Sequence, residues 1–201
     1  MGFDWRFGVG IVSRFHAAAA LMANVEDAGG GLSYPWSVPI VNGGAELGGN
    51  PLTGWTVILG SLLATTGPAG DGTLPHSGSQ LMYGGSASYS AGTQDVTIDA
   101  ALLTDVDAGL LTVDWSYYLC CTGTDSARVG IYFLDAVSAV IGSSFPALSS
   151  PGGANVWVLM SFSAVIPVDT RFLRFQVEMD RNAGTSNDGY IDDLIASVRL
   201  T

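Results

Sequence analysis

Leu111-Thr112-Val113-Asp114-Trp115-Ser116-Tyr117-Tyr118-Leu119 puts Leu111, Val113, Trp115, Tyr117 and Leu119 at every second position, with Asp114, Ser116 and Tyr118 between them. Only an extended chain has a two-residue side-chain period, so this stretch is a strand with one face to a core and the other outward. The pattern returns downstream. Ala127, Val129, Ile131 and Phe133 alternate with Arg128 and Tyr132, and Leu173, Phe175, Val177 and Met179 alternate with Arg174, Gln176 and Glu178. Working outward from these runs, strands are predicted near 40–47, 54–66, 78–84, 87–98, 109–121, 126–135, 138–145, 155–165, 170–179 and 188–200. Turn signals such as Gly49-Asn50-Pro51, Thr122-Gly123-Thr124-Asp125 and Ser150-Pro151-Gly152-Gly153 separate most of them. Eight or more short antiparallel strands at this spacing predict an all-β chain folded as a two-sheet jelly-roll sandwich.

The composition agrees. Of 201 residues, 7 are basic and 18 acidic, for a formal charge of −11. Every basic residue is Arg, and fifteen of the acids are Asp against three Glu (Glu26, Glu46, Glu178), so charged residues that favour helix interiors are scarce. An acidic chain of this kind does not bind nucleic acid by bulk charge. The charged fraction of 12% beside 48% hydrophobic residues excludes disorder. The adjacent Cys120 and Cys121 would point to opposite faces of a strand and are expected to be two reduced, packed thiols.

Residues 3–11 carry the strand period again, with Phe3, Trp5, Phe7, Val9 and Ile11 on one side and Asp4, Arg6, Gly8 and Gly10 on the other. From about Ser13 to Ala28 the apolar spacing becomes helical, until Gly29-Gly30-Gly31 stops it, and 29–39 reads as a linker around an isolated Trp36. The predicted organisation is an N-terminal strand/helix anchoring arm over 1–38 and a jelly roll over 39–201. An apolar strand standing alone must be covered, and adding itself to a neighbour's sheet is one solution. Phe3, Trp5, Phe7, Val9 and Ile11 are therefore the expected assembly interface, joining other subunits or further copies of the chain in a homo-oligomer or multi-copy assembly. Arg14 and His16 interrupt the apolar stretch that a secretory signal would need, and no run approaches the ~18 apolar residues of a membrane span. Neither export by that route nor membrane insertion is expected.

If the three alternating strands were neighbours in one sheet, its outer face would combine Tyr118 and Tyr132 with Asp114, Arg128, Arg174, Gln176 and Glu178. Flat rings beside planar hydrogen-bonding groups suit sugars, and the same residues suit a solvated or docking face with cross-strand ion pairs. Trp157 falls out of phase with Val156, Val158, Met160 and Phe162 and is expected at the surface or an interface. Asp105-Val106-Asp107-Ala108-Gly109 reads as a turn. Catalysis is not expected. His16 and His76 are the two histidines, and neither a Gly-x-Ser-x-Gly elbow nor a His-Glu-x-x-His or phosphate-loop motif is present.

Val41-Asn42-Gly43-Gly44-Ala45-Glu46, then Leu52-Thr53-Gly54-Trp55-Thr56-Val57, then Gly78-Ser79-Gln80-Leu81-Met82 and finally Gly189-Tyr190-Ile191-Asp192-Asp193-Leu194 stand in the order in which similar motifs stand in the galactose-binding-like jelly rolls of carbohydrate-binding modules. The resemblance covers residues 40–201. It implies a calcium ion bridging the first and last strands, with Glu46 and Asp192 as ligands, Asp193 beside them, and main-chain carbonyls of 76–78 completing the shell. The other reading is that Glu46 caps a turn and the Asp pair lies in solvent. A jelly roll with such an arm and no export signal looks like a bacteriophage virion component. The expected function is a non-enzymatic accessory virion protein, decorating head or tail and displaying a domain that binds cell-surface glycan. The alternative is a calcium-stabilised carbohydrate-binding module or adhesin.

Overall fold

A computed structural model describes residues 33–66 and 69–201. The expected arm strand at 3–11, with its interface residues, and the expected helix at 13–28 lie outside the described residues. Two antiparallel sheets pack face to face. The first has the order β3 (Leu63–Thr66), β4 (Gln80–Tyr83), β11 (Gly189–Leu200), β6 (Leu111–Cys121), β9 (Val158–Val165), with β1 (Trp36–Ser37) also paired to β11. The second has the order β2 (Thr56–Leu59), β5 (Tyr89–Thr97), β10 (Phe172–Asp180), β7 (Ser126–Leu134), β8 (Val140–Ser144).

The alternation read from the sequence sets the two inner faces. Val113, Trp115, Tyr117 and Leu119 of β6 meet Val129, Ile131 and Phe133 of β7 and Leu173, Phe175 and Val177 of β10 in one core, all buried. Each large side chain removed from water there contributes about 1.5–3 kcal/mol. The indole of Trp115 donates to the Val129 carbonyl at 3.1 Å, a hydrogen bond from one sheet to the other. Cys120 and Cys121 are free and buried, and burial pushes the Cys121 thiol up to about 12.

Four local expectations are corrected. Residues 40–47 are a chain of turns, not a strand. Asn42 and Ala45 take left-handed backbone angles, and the Asn42 side chain bridges the Leu47 N–H and the Thr53 carbonyl. The stretch 54–66 divides into β2 and β3, one in each sheet, because the chain turns at Gly60 (φ 60°) against the Tyr89 carbonyl and crosses over with Leu62 buried. Residues 34–38 belong to the sandwich and not to a linker, since Trp36 and Ser37 pair with Val198 and Ser197, and Val38 is core. Asp105–Asp107 lies in a one-turn helix, α1 (Leu103–Asp107), which follows a 3-10 turn (Ala100–Leu102) and ends at Gly109, φ 69°.

The double glycine of the opening motif has a steric origin. A Cβ on Gly43 would run into the Leu194 carbonyl, while the Leu194 N–H donates to the Gly43 carbonyl at 3.1 Å. Gly43→Ala should lower stability by about 1–3 kcal/mol, the cost of overpacking against backbone. Gly70→Ala, with nothing within 4 Å of its Cβ position, should be near neutral. Denaturant midpoints of the two variants check this.

Candidate functional site

The predicted sugar face divides between the sheets. The chain crosses from one sheet to the other at 122–125, so β6 is no neighbour of β7 or β10. Tyr118 and Asp114 therefore lie on the outer face of the first sheet. There the Tyr118 ring stacks on His76 (centroids 3.4 Å apart, 15° between planes), and Asp114 pairs with Arg199 at 2.7 Å. Trp157 sits on the same side, edge-on to His76 and donating to the Leu74 carbonyl at 3.0 Å. A depression of about 830 Å³ on this sheet is lined by Ser37, Ser116, Ser161, Ser163, Ile195 and Asp114 among others. Two rings also line it, Trp115, which is buried, and Phe162, which is partly buried, and both pack against the core.

Tyr132, Arg128, Arg174, Gln176 and Glu178 do come together, on the outer face of the second sheet. Register places Arg174 between Asp95 and Tyr132, Gln176 between Thr93 and Gly130, and Glu178 between Ala91 and Arg128. Arg174 grips Asp95 with two hydrogen bonds of 2.6 and 2.7 Å. Arg128 donates to Glu178 at 2.6 Å and to the Pro146 carbonyl at 3.0 Å, and Gln176 donates to the other Glu178 oxygen. Tyr89 joins the same cluster. Burial first, then its hydrogen bond and charge contact with Glu178, push its hydroxyl up to about 12.

Phe145, just past the end of β8, is the residue that sequence reading missed. Its ring lies flat over Gly130, where any Cβ would run into it, 4.8 Å from the Tyr132 ring and beneath the Arg128 guanidinium at 5.1 Å. The readable trace was Gly130 itself, an interruption of an otherwise regular strand pattern. Although they face away from the core, Thr93, Gln176 and Glu178 are only 9%, 8% and 4% exposed. A flat solvated sheet would leave them open, so this face is recessed. Phe145 and Pro146 form one wall, and β2 borders a cleft of about 380 Å³ toward the other edge, lined by Thr56, Ile58, Thr93, Asp95 and Arg174.

Glu46, Asp192 and Asp193 all meet the loop at 76–80. Glu46 accepts from the main-chain N–H groups of Ser79 and Gln80, each at 2.9 Å, and from the Ser79 hydroxyl at 3.0 Å. Local desolvation works against its ionisation, and these hydrogen bonds outweigh it, holding the carboxyl below its ordinary value. Gly78 (φ 61°) leaves the space that the Glu46 carboxylate fills. Asp192 is buried and accepts from the N–H groups of His76 (2.9 Å), Ser77 (3.3 Å) and Asp193 (2.8 Å). Burial first, with the Asp193 charge adding, pushes its carboxyl up to about 6 against the pull of those donors. Asp193 takes the Ser77 hydroxyl at 2.6 Å and lies 2.7 Å from His76 Nδ1.

The loop thus turns N–H and O–H groups toward the three carboxylates, where a calcium shell requires oxygens. Among the described residues, no three His, Cys, Asp or Glu side chains gather closely enough to hold a metal ion. As placed, the three carboxylates and the loop form a hydrogen-bonded clasp, with donors of 76–80 set against the carboxylate oxygens. Melting temperatures in millimolar calcium and in excess EDTA should coincide. An ion bound at a hundred times its Kd would add about 2.7 kcal/mol, several degrees at this chain size, and a shift of that size would reinstate the metal.

No family model matches the chain, and no curated protein matches it. Solved structures do. The enzymatically active domain of bacteriophage CBA120 tailspike protein 4 superposes with a TM-score of 0.56 at 11% identity over 81% of this chain, which spans 21% of that one. A Stig cyclase from Fischerella sp. TAU gives 0.55 at 12% identity, over 83% of this chain and 99% of the cyclase. TmCBM61 in complex with beta-1,4-galactotriose gives 0.50 at 17% identity, over 82% and 99%. At these identities the likeness is one of fold alone: a two-sheet jelly roll of the kind seen in a carbohydrate-binding module and in a phage tailspike domain.

Proposed function

We propose that this jelly roll is a carbohydrate-binding domain that takes glycan in the recessed face of the second sheet. One observation carries the reading: Phe145 laid over Gly130 beside Tyr132, at the margin of a half-buried lattice in which Arg128, Arg174 and Gln176 are already oriented by Glu178 and Asp95. Sugar rings offer apolar C–H faces to an aromatic platform and hydroxyls to planar donors and acceptors. Side chains fixed by their own ion pairs lose little freedom when such a ligand arrives.

The role is binding without catalysis. The Ser77 hydroxyl donates to Asp193 and not to His76, and the imidazole is stacked under Tyr118, so the serine–base contact of a nucleophilic relay is not made. On the recessed face of the second sheet, Asp95 and Glu178 are each held by an arginine. The likeness to a tailspike domain favours a place on a bacteriophage particle, as a head decoration or tail component that presents the jelly roll to a cell-surface glycan. A module working apart from any particle is the other reading, favoured by the likeness to TmCBM61.

A glycan array probed with the full chain tests the binding reading. Tyr132→Ala and Phe145→Ala should each weaken binding by about tenfold, the equivalent of roughly 1.4 kcal/mol from a lost ring contact. Tyr118→Ala, on the other sheet, should leave it unchanged. Silence across the array, or equal binding by all three variants, would sink the reading. Mass spectrometry of purified particles encoded by the same genome should find the chain in many copies. Its absence there would leave the free module.

A further inference from the structure

The free edge of β9 and the apolar period at residues 3–11 complement one another, independently of the glycan reading. Among the described residues, β6 is the strand partner of β9, and the opposite edge of β9 has none. β9 is eight residues long, carries no charge and no proline, and pairs with β6 without a register shift. On its outer face Leu159 and Val165 are 53% and 58% exposed, and on its inner face Met160, Phe162 and Ala164 reach the core while only partly covered. Edges are ordinarily blunted by charge, proline, bulges or shortness. The other terminal strands follow that rule: β3 and β2 have four residues each, β8 has five, and both β2 and β8 pair irregularly. β9 has none of these protections.

A strand added to this edge must bring large apolar side chains to the core side, where Met160 and Phe162 are only partly covered, and small or polar ones to the other, beside Ser161 and Ser163. Residues 3–11 meet that specification, with Phe3, Trp5, Phe7, Val9 and Ile11 on one side and Asp4, Arg6, Gly8 and Gly10 on the other. Their nine positions match the eight of β9. The chain between Ile11 and Trp36 is long enough, since 24 residues at about 3.3 Å each far exceed the four strand spacings of about 4.8 Å from β1 to a strand beyond β9. We propose that segment 3–11 returns along its own domain and adds itself to the free edge of β9 as an additional strand, so that the protection it confers does not depend on protein concentration.

Hydrogen exchange on the full chain reads this directly. Amides of 158–165 should be protected like those of an interior strand, and Trp5→Asp/Phe7→Asp should speed their exchange by about tenfold or more while leaving β5 and β10 unchanged. A synthetic peptide of residues 1–12, added to that variant, should restore protection at 158–165. Equal exchange of 158–165 in the two proteins would overturn the proposal, as would a peptide that protects β2, β3 or β8 instead.

Discussion

Everything in this molecule is referred to β11. The strand is bordered on one side by β6 along nearly its whole length, and on the other by β4 near its start and β1 near its end. Between Asp192 and Ile195 its register against β6 slips, so that three steps along β11 answer two along β6. The extra residue forms a bulge, with Asp193 in a left-handed conformation at φ 52°. That one residue turns Asp192 and Asp193 together onto the loop at 76–77 and presents Leu194 to Gly43. The opening motif, the 76–80 loop and the closing strand are thus three parts of one junction, and the carboxylates that sequence reading assigned to a cation fasten backbone donors there.

Arginine is used structurally throughout the described chain. Arg128, Arg171, Arg174 and Arg199 each pair with a carboxylate, and Arg181 donates to the carbonyls of Ser86 and Thr185. The planar fork of a guanidinium can hold two acceptors at once, which an ammonium cannot do with fixed geometry, and this suits a chain without lysine. Basic charge is consumed in cross-strand and loop contacts, and buried acids that no arginine reaches, Asp125 and Asp192, are held by backbone N–H groups instead.

Inside-versus-outside was legible at the level of single residues. The apolar positions of Leu111 to Leu119, Ala127 to Phe133 and Leu173 to Met179 are buried as their parity implies, because a two-residue period is a local property, whereas the cover over Gln176 and Glu178 on the opposite face is not. Which sheet a strand joins is not local. β6 and β7 are consecutive and carry the same pattern, yet the connection at 122–125 crosses the sandwich, and this separated Tyr118 from Tyr132. The turn at 41–46 was hidden for a different reason: left-handed angles at Asn42 and Ala45 answer to the nearness of the closing strand, which is distant in sequence. Phe145 closes the strand predicted at 138–145 behind Gly142-Ser143-Ser144, where no apolar alternation marks its face, so its role over Gly130 emerges only when β7 and β8 are brought side by side.

The pairing of Trp36 with Val198 carries a topological consequence. Because these strands are antiparallel and adjacent, the first and last strands of the described residues are held side by side at one corner of the sandwich, a strand spacing apart. New ends are best opened far from that corner, at an exposed turn such as the one at Gly184, where no other group lies within 4 Å of the Cβ position.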